Sequence, residues 1–211
     1  LANASHHTIL PLARKRDKVA QITWGIASHN HHYGHVPKGM WLPELAVDLE
    51  TLQILHDLGI EFTILSEPQV TGANEGAGPY WVKLPSGDRI AIFVRDEILS
   101  NQIAFNIKTL GGAGRWAREV LAARKRHTGP LGSGLILVAV EGETFGHYHP
   151  GEEHFLHWLL SYEAGAVGFS VTALESYMHD NPPQREVTIK EYTSWSCPHG
   201  LGRYAAGCDC T

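Results

Sequence analysis

Helical and extended stretches alternate along this chain, and that alternation constrains its fold more than any other feature. Residues 14–28 read as a helix with Val19, Ile22 and Ile26 at helical spacing, closed by Gly34 and Pro37. A short strand, "GMWLPE", follows and ends at Pro43-Glu44. The amphipathic stretch "LAVDLETLQILHDLG" lines up Leu45, Leu49, Leu52 and Leu55, with Gly59 as its stop. "IEFTILS" is a strand, the Gly-rich residues 67–79 are a loop, and "YWVKLPSGDRIAIFVRD" is a β-hairpin turning at Pro-Ser-Gly-Asp. Helical character returns at 100–107 and 114–126. "GLILVAV" then reads as the strongest buried parallel strand, "EEHFLHWLLSYEAG" as a helix and "REVTIKEYTS" as a last extended run. This order predicts an α/β fold of parallel β/α units with an inserted β-hairpin.

A chain of 211 residues is long enough for one sizeable core, so residues 1–211 are expected to form a single domain. The net charge of −5 argues against nucleic acid or an anionic membrane as the main partner. No apolar run reaches the length of a membrane span, and no basic-then-apolar leader opens the sequence, so the expected location is the cytoplasm. Leu1 in place of an initiating Met implies processing or a fragment.

In parallel β/α folds the chemistry gathers where strands end and loops begin. Glu44 and Glu141 both occupy that position in the predicted order. Glu44 has two readings: an acid favoured by the dipole of the helix after it, or a nucleophile with Trp41 as a stacking platform for a sugar face. Glu141 and Glu143 flank Gly142, where the backbone can turn sharply. They are either a solvated strand-end loop or a pair in which one carboxylate raises the other's proton affinity, as a general acid needs. Two carboxylates from different strands are the minimum for glycoside hydrolysis, and a separation of about 5–5.5 Å marks a retaining enzyme.

Four collinear blocks resemble glycoside hydrolase family 57. "GMWLPELAVDLETLQILHDLGIEFTIL" is similar to the family's third block with its Trp-x-x-Glu. "FVRDEILSNQIAF" resembles its Arg-Asp-x-x-Leu-Ser-x-x-Ile segment, and "EGETFGHYH" its fourth block, usually Asp-Gly-Glu-x-Phe/Tyr-Gly-His-His. "TSWSCPHGLGRYAAGCDC" is similar to a Ser-Trp-Ser-Cys-x-His-Gly segment of one subgroup. The resemblance implies a retaining α-glucan hydrolase or glucanotransferase on an incomplete (β/α) barrel, seven-stranded in family members. It matches Glu44 to the nucleophile, Glu141 to the acid/base and Glu143 to a supporting glutamate. It also places Trp41, Asp96, His147 and Trp195 at the substrate. Catalysis would need no cofactor, and the partner would be an oligo- or polysaccharide.

Two departures stand out. The acid/base is usually Asp, so Glu141 is one methylene longer, and a misplacement on that scale costs roughly 100-fold in rate where geometry is tight. The family's early blocks have no counterpart, and "HHTILPLA" resembles the tail of the second. The chain is therefore expected to be a fragment, to lack those barrel strands outright, or to have its wall completed by a second copy in a homo-oligomer.

The 14 His and three Cys carry the remaining chemistry. His29, His31, His32 and His35 read as a helix-end cluster or a metal site, and His147, His149 and His154 share that ambiguity. A His-rich barrel mouth also suits a metal-dependent polysaccharide deacetylase, but Asp48 and Asp96 fit no such motif. Cys197, His199, Cys208 and Cys210 supply three thiols and an imidazole within fourteen residues. That set fits a closed, tetrahedral structural Zn²⁺; its alternatives are reduced buried thiols or a strained Cys208–Cys210 bridge.

Overall fold

The computed structural model describes residues 1–73, 77–124 and 134–210, which fall into two compact units. The first comprises Leu1–Asn74, Gly78–Val94 and Pro182–Thr211; the second comprises Glu75–Ala77 and Arg95–Asn181.

The first unit is built on a five-stranded sheet of order β1-β2-β3-β6-β5. These are β1 Ala2–Asn3, β2 Gly39–Trp41, β3 Phe62–Ser66, β5 Tyr80–Lys83 and β6 Arg89–Arg95. β1, β2 and β3 run parallel, in a register that pairs Ala2 with Met40 and Met40 with Thr63. β5 and β6 form the antiparallel hairpin expected from sequence, Tyr80 opposite Ile92 and Lys83 opposite Arg89. The sheet does not close among the described residues, which is the incomplete (β/α) arrangement expected. A second pair, β4 Val70–Thr71 and β7 Thr188–Ile189, is antiparallel. The start of the glycine-rich stretch is thus more ordered than the loop expected: a 3₁₀ turn at Glu67–Gln69 leads into β4.

Helix α1 spans Lys15–Tyr33 and ends on Gly34, whose left-handed φ of 75° lets its N–H reach Asn30 O. Its buried face is Lys18, Ile22 and Gly25, while Val19 lies at the surface, so the apolar stripe expected there is rotated. Two causes are visible. A Cβ on Gly25 would lie 1.9 Å from Asn3 O, so only glycine lets α1 rest on β1. Lys18, 1% exposed, donates to Asp48 Oδ2 at 2.8 Å and pairs with Glu50 at the same distance. Burial works against its charge, but these two carboxylates outweigh it and raise the Lys18 pKa.

Helix α2 spans Leu49–Asp57 and is capped by Asp48, whose Oδ1 accepts the Thr51 N–H at 2.8 Å. It starts four residues later than the leucine pattern implied. Leu45 lies outside it, in a 3₁₀ turn Pro43–Leu45, and Asp48 rather than Glu44 is the acid at the start of this helix.

The second unit contains helix α3 Glu97–Asn106 and helix α4 Ala113–Trp116, which runs on through a π turn Ala117–Leu121 to Ala122–Arg124. Helical segments Glu153–Trp158 and Leu174–Asp180 follow. Its core packs Leu99, Ile103, Trp116 and Phe155. "GLILVAV" is a correction: residues 134–140 form no strand. Several of its backbone groups are met by the entrance of α3 instead of a ladder. Leu137 O accepts the Asp96 N–H at 2.7 Å, and the Ala139 N–H donates to Ser100 Oγ at 3.1 Å. A short apolar run cannot announce which of these partners it will find.

Candidate active site

Parallel pairing sends the chain leaving β1 and the chain leaving β2 off the same edge of the sheet, the edge where such folds place ligands. β1 leads to His7 and β2 to Glu44, and the two side chains meet: His7 Nε2 lies 3.2 Å from Glu44 Oε1. The segment carrying His7 is fastened to α1, Ser5 N–H on Gln21 O and His6 N–H on Gln21 Oε1.

Glu44 and Leu45 have φ of 57° and 48°, a left-handed conformation that costs a non-glycine residue roughly 1–3 kcal/mol. Fixed partners hold the turn in place. The buried Gln69 amide donates to Leu45 O at 2.7 Å, the Trp195 N–H donates to Glu44 O at 3.1 Å, and the Leu45 side chain is fully buried. The turn aims the Glu44 carboxylate into a ring of donors. Trp195 Nε1–H reaches Oε2 at 3.0 Å, and Ser196 Oγ–H reaches the same oxygen at 2.7 Å. Tyr204 Oη lies 2.6 Å from Ser196 Oγ; because the serine proton is committed to Glu44, the phenol donates to the serine.

Burial alone would raise the Glu44 pKa, but the polar groups of Ser196, Tyr204, Trp195 and His7 around the carboxylate outweigh it and lower it. Burial pushes the Tyr204 phenol up, and the Glu44 charge adds to that. At neutrality the site holds an ionised carboxylate in a bed of donors. Trp41 stands edge-on to Trp195, ring centroids 5.4 Å apart, so the carboxylate has an aromatic wall beside it. Glu44, Trp41 and Trp195, chosen from sequence, are brought together. His7, Ser196 and Tyr204 were missed; Ser196 adjoins Trp195 in a quoted block, but nothing in the spacing tied it to residue 44.

Glu141, Glu143, His147, His149 and Asp96 belong to the second unit. Glu141 is half-buried and leads into a 3₁₀ turn Gly142–Thr144, with its carbonyl accepting the Thr144 N–H at 3.1 Å. Glu143 is exposed, and its carbonyl accepts the Tyr148 N–H. His147 is exposed with its ring against Tyr148, while His149 Nε2 lies 2.9 Å from Ala104 O. Asp96 caps α3 through the Leu99 N–H and pairs with Arg124 at 3.3 Å.

Cys197, His199, Cys208 and Cys210 converge, with one ligand atom from each lying within 4.8 Å of the others. Cys197 Sγ is 3.5 Å from Cys208 Sγ and 3.4 Å from Cys210 Sγ, and all three thiols are free. A disulfide needs about 2.05 Å, whereas sulfurs on a tetrahedral Zn²⁺ sit about 3.8 Å apart. Burial works against a Cys197 thiolate, yet the N–H of Arg203, then Cys210, Cys208 and the N–H of His199, bring its pKa down to about 6. Cys210 first, then burial and Cys197, push Cys208 up to about 11. Cys197 is ready to ionise while Cys208 resists, a conflict that a cation at the centre would remove. The donor set fits a closed metal site; among the described residues it is the one group of three or more convergent metal-ligating side chains. His29 and His35 approach each other, Nε2 to Nε2 at 3.4 Å, without a third ligand.

The fold that carries this carboxylate is that of a glycosyl hydrolase family. The profile of glycosyl hydrolase family 57 matches residues 1–190, and the chain belongs to that family. A 1,4-α-glucan branching enzyme of Thermococcus kodakarensis is 25% identical over 49% of this chain and 19% of its own length. A branching enzyme of that family from Pyrococcus horikoshii superposes with a TM-score of 0.75 at 20% identity, covering 95% of this chain and 48% of its own. An exo-type maltose-forming amylase from Pyrococcus sp. ST04 gives 0.72 at 17% identity, over 92% and 35%. The chain spans about a fifth of the curated relative and less than half of these two solved structures. Among the described residues no helix is long and apolar enough to cross a membrane.

Proposed function

We propose that this chain carries the nucleophile of a retaining glycoside hydrolase or glucanotransferase acting on α-glucan oligo- or polysaccharide. The observation that carries the reading is the Glu44 carboxylate: ionised, fixed on a left-handed turn at a strand end, and walled by Trp41 and Trp195. An acceptor-only carboxylate with depressed proton affinity suits attack on an anomeric carbon and does not suit proton donation. In this reading Glu44 forms the bond to the anomeric carbon as the glycosidic C–O bond breaks. Glu141 gives its proton to the departing oxygen, with Glu143 in support. Water, or a sugar hydroxyl, then displaces Glu44 and returns a proton to Glu141. His147 and Asp96 are assigned to substrate, residues 1–211 to one catalytic-type domain, and the chemistry needs no cofactor. The Cys/His cluster is assigned a structural Zn²⁺.

Glu44→Gln is expected to remove turnover of maltooligosaccharide and glycogen. Glu141→Gln should slow unactivated glucan by about 10²–10⁴-fold and spare substrates with a good leaving group. Wild-type turnover by Glu44→Gln would overturn the assignment. Oligosaccharide binding without turnover by the native chain would make it a binding module instead.

A further inference from the structure

We propose that the Cys197–Cys210 knot is a metal-dependent clamp that positions the hydrogen-bond donors of Glu44. The idea rests on Glu44 being the functional carboxylate, as proposed above. Three of the four groups that hydrogen-bond or stabilise the Glu44 charge come from the knot's own stretch of chain. Trp195 and Ser196 directly precede the ligand Cys197, and Tyr204 lies between His199 and Cys208. The fourth, His7, comes from the other end of the chain.

Regular structure does little to hold this arm. β7 ends at Ile189, and from there to Cys210 the one helix is the four-residue Gly202–Ala205. The backbone is tied to the turn of Glu44 at the Tyr192 N–H on Val47 O, the Val47 N–H on Thr193 O and the Trp195 N–H on Glu44 O. Beyond Trp195 the arm bonds largely to itself: Ser194 Oγ–H to Gly200 O, Gly200 N–H to Cys197 O, and Arg203 to Cys210 O. Four ligand atoms within 4.8 Å are the feature able to cross-link such a segment. A Zn²⁺ on Cys197 would fix the backbone one residue from the Ser196 hydroxyl, and on His199 and Cys208 would bracket Tyr204. The knot therefore acts through Ser196, Trp195 and Tyr204 as a positioning device, and no ligand touches Glu44.

The test is a carboxyl titration of the whole chain labelled with ¹³C-glutamate, with Glu44→Gln used to assign the Glu44 signal. The titratable groups facing that carboxylate are His7 and Tyr204, so His7→Gln is titrated in parallel to remove the histidine's own transition. Reduced protein is first titrated with Zn²⁺ alone; one ion per chain is expected, lost in Cys208→Ser. With zinc, Glu44 should titrate below the ordinary glutamate range. After chelation, or in Cys208→Ser, its midpoint should rise by about one pH unit, and zinc should restore it in the chelated protein. Ser196→Ala should raise the midpoint with zinc retained, and it decides the matter where chelation unfolds the chain. No zinc uptake, a Glu44 midpoint in the folded chain indifferent to zinc, or one indifferent to Ser196→Ala, overturns the clamp. Turnover by Glu44→Gln would overturn the nucleophile assignment while leaving these titrations readable, so the two failures are distinguishable.

Discussion

At the scale of single residues, Glu44 is set apart by its backbone as much as by its carboxylate. Two successive non-glycine residues in left-handed conformation are uncommon, and here Gln69 and Trp195 grip the carbonyls of that turn. Trp195→Phe keeps a ring beside Trp41 but deletes one donor to a charged acceptor. It should lower kcat/KM on glucan by about 10–100-fold and raise the pH of the acidic limb, measured as a full profile. The stability consequence has a definite sign. Because the folded pKa of Glu44 is depressed, its contribution is present above the ordinary glutamate range and is lost as pH falls through the depressed value. Glu44→Gln should therefore flatten acid unfolding in that window, as followed by circular dichroism. Sequence pointed to Glu44 and Trp41 because strand-end position is a pattern of period and order. The left-handed turn was invisible, since Glu-Leu has no local preference for it and only distant partners impose it.

At the scale of elements, α1 is anchored by a buried cation and a missing side chain. Lys18→Met leaves Asp48 buried without its cation and should cost about 3–5 kcal/mol in denaturant unfolding. The raised Lys18 pKa means its stabilisation is complete below the unfolded-chain value and lost as pH rises through the folded one. Wild type should thus weaken in strong alkali more steeply than Lys18→Met. Gly25→Ala drives a methyl into Asn3 O and should destabilise by about 1–3 kcal/mol or more, with β1 fraying first in hydrogen exchange. Helical spacing alone put Val19, Ile22 and Ile26 on the buried face of α1, since a lysine at a buried position carries no hydrophobic signal. "GLILVAV" failed for the opposite reason: its apolarity reported burial of Leu137 and Ala139 faithfully, but burial does not specify a ladder. The hairpin and β2 were legible because turn residues and strand length agreed there.

At the scale of the whole molecule, the first unit is stitched from three separate stretches of sequence, the last of them being Pro182–Thr211. If the Cys/His cluster holds zinc, the melting temperature of chelated protein should climb with the logarithm of added Zn²⁺, and Cys210→Ser should abolish that dependence. The same stitching has a bearing on the order of events during synthesis. Glu44 and its turn leave the ribosome well before Trp195, Ser196 and Tyr204, which are made roughly 150 residues later, and contacts of such long range form slowly. Until that arm arrives, the turn lacks its Trp195 bond and the carboxylate lacks most of its donors. A nascent chain therefore holds Glu44 without most of its donors however complete its sheet, and the turn is finished only when the arm carrying Trp195, Ser196 and Tyr204 closes over residues made long before it.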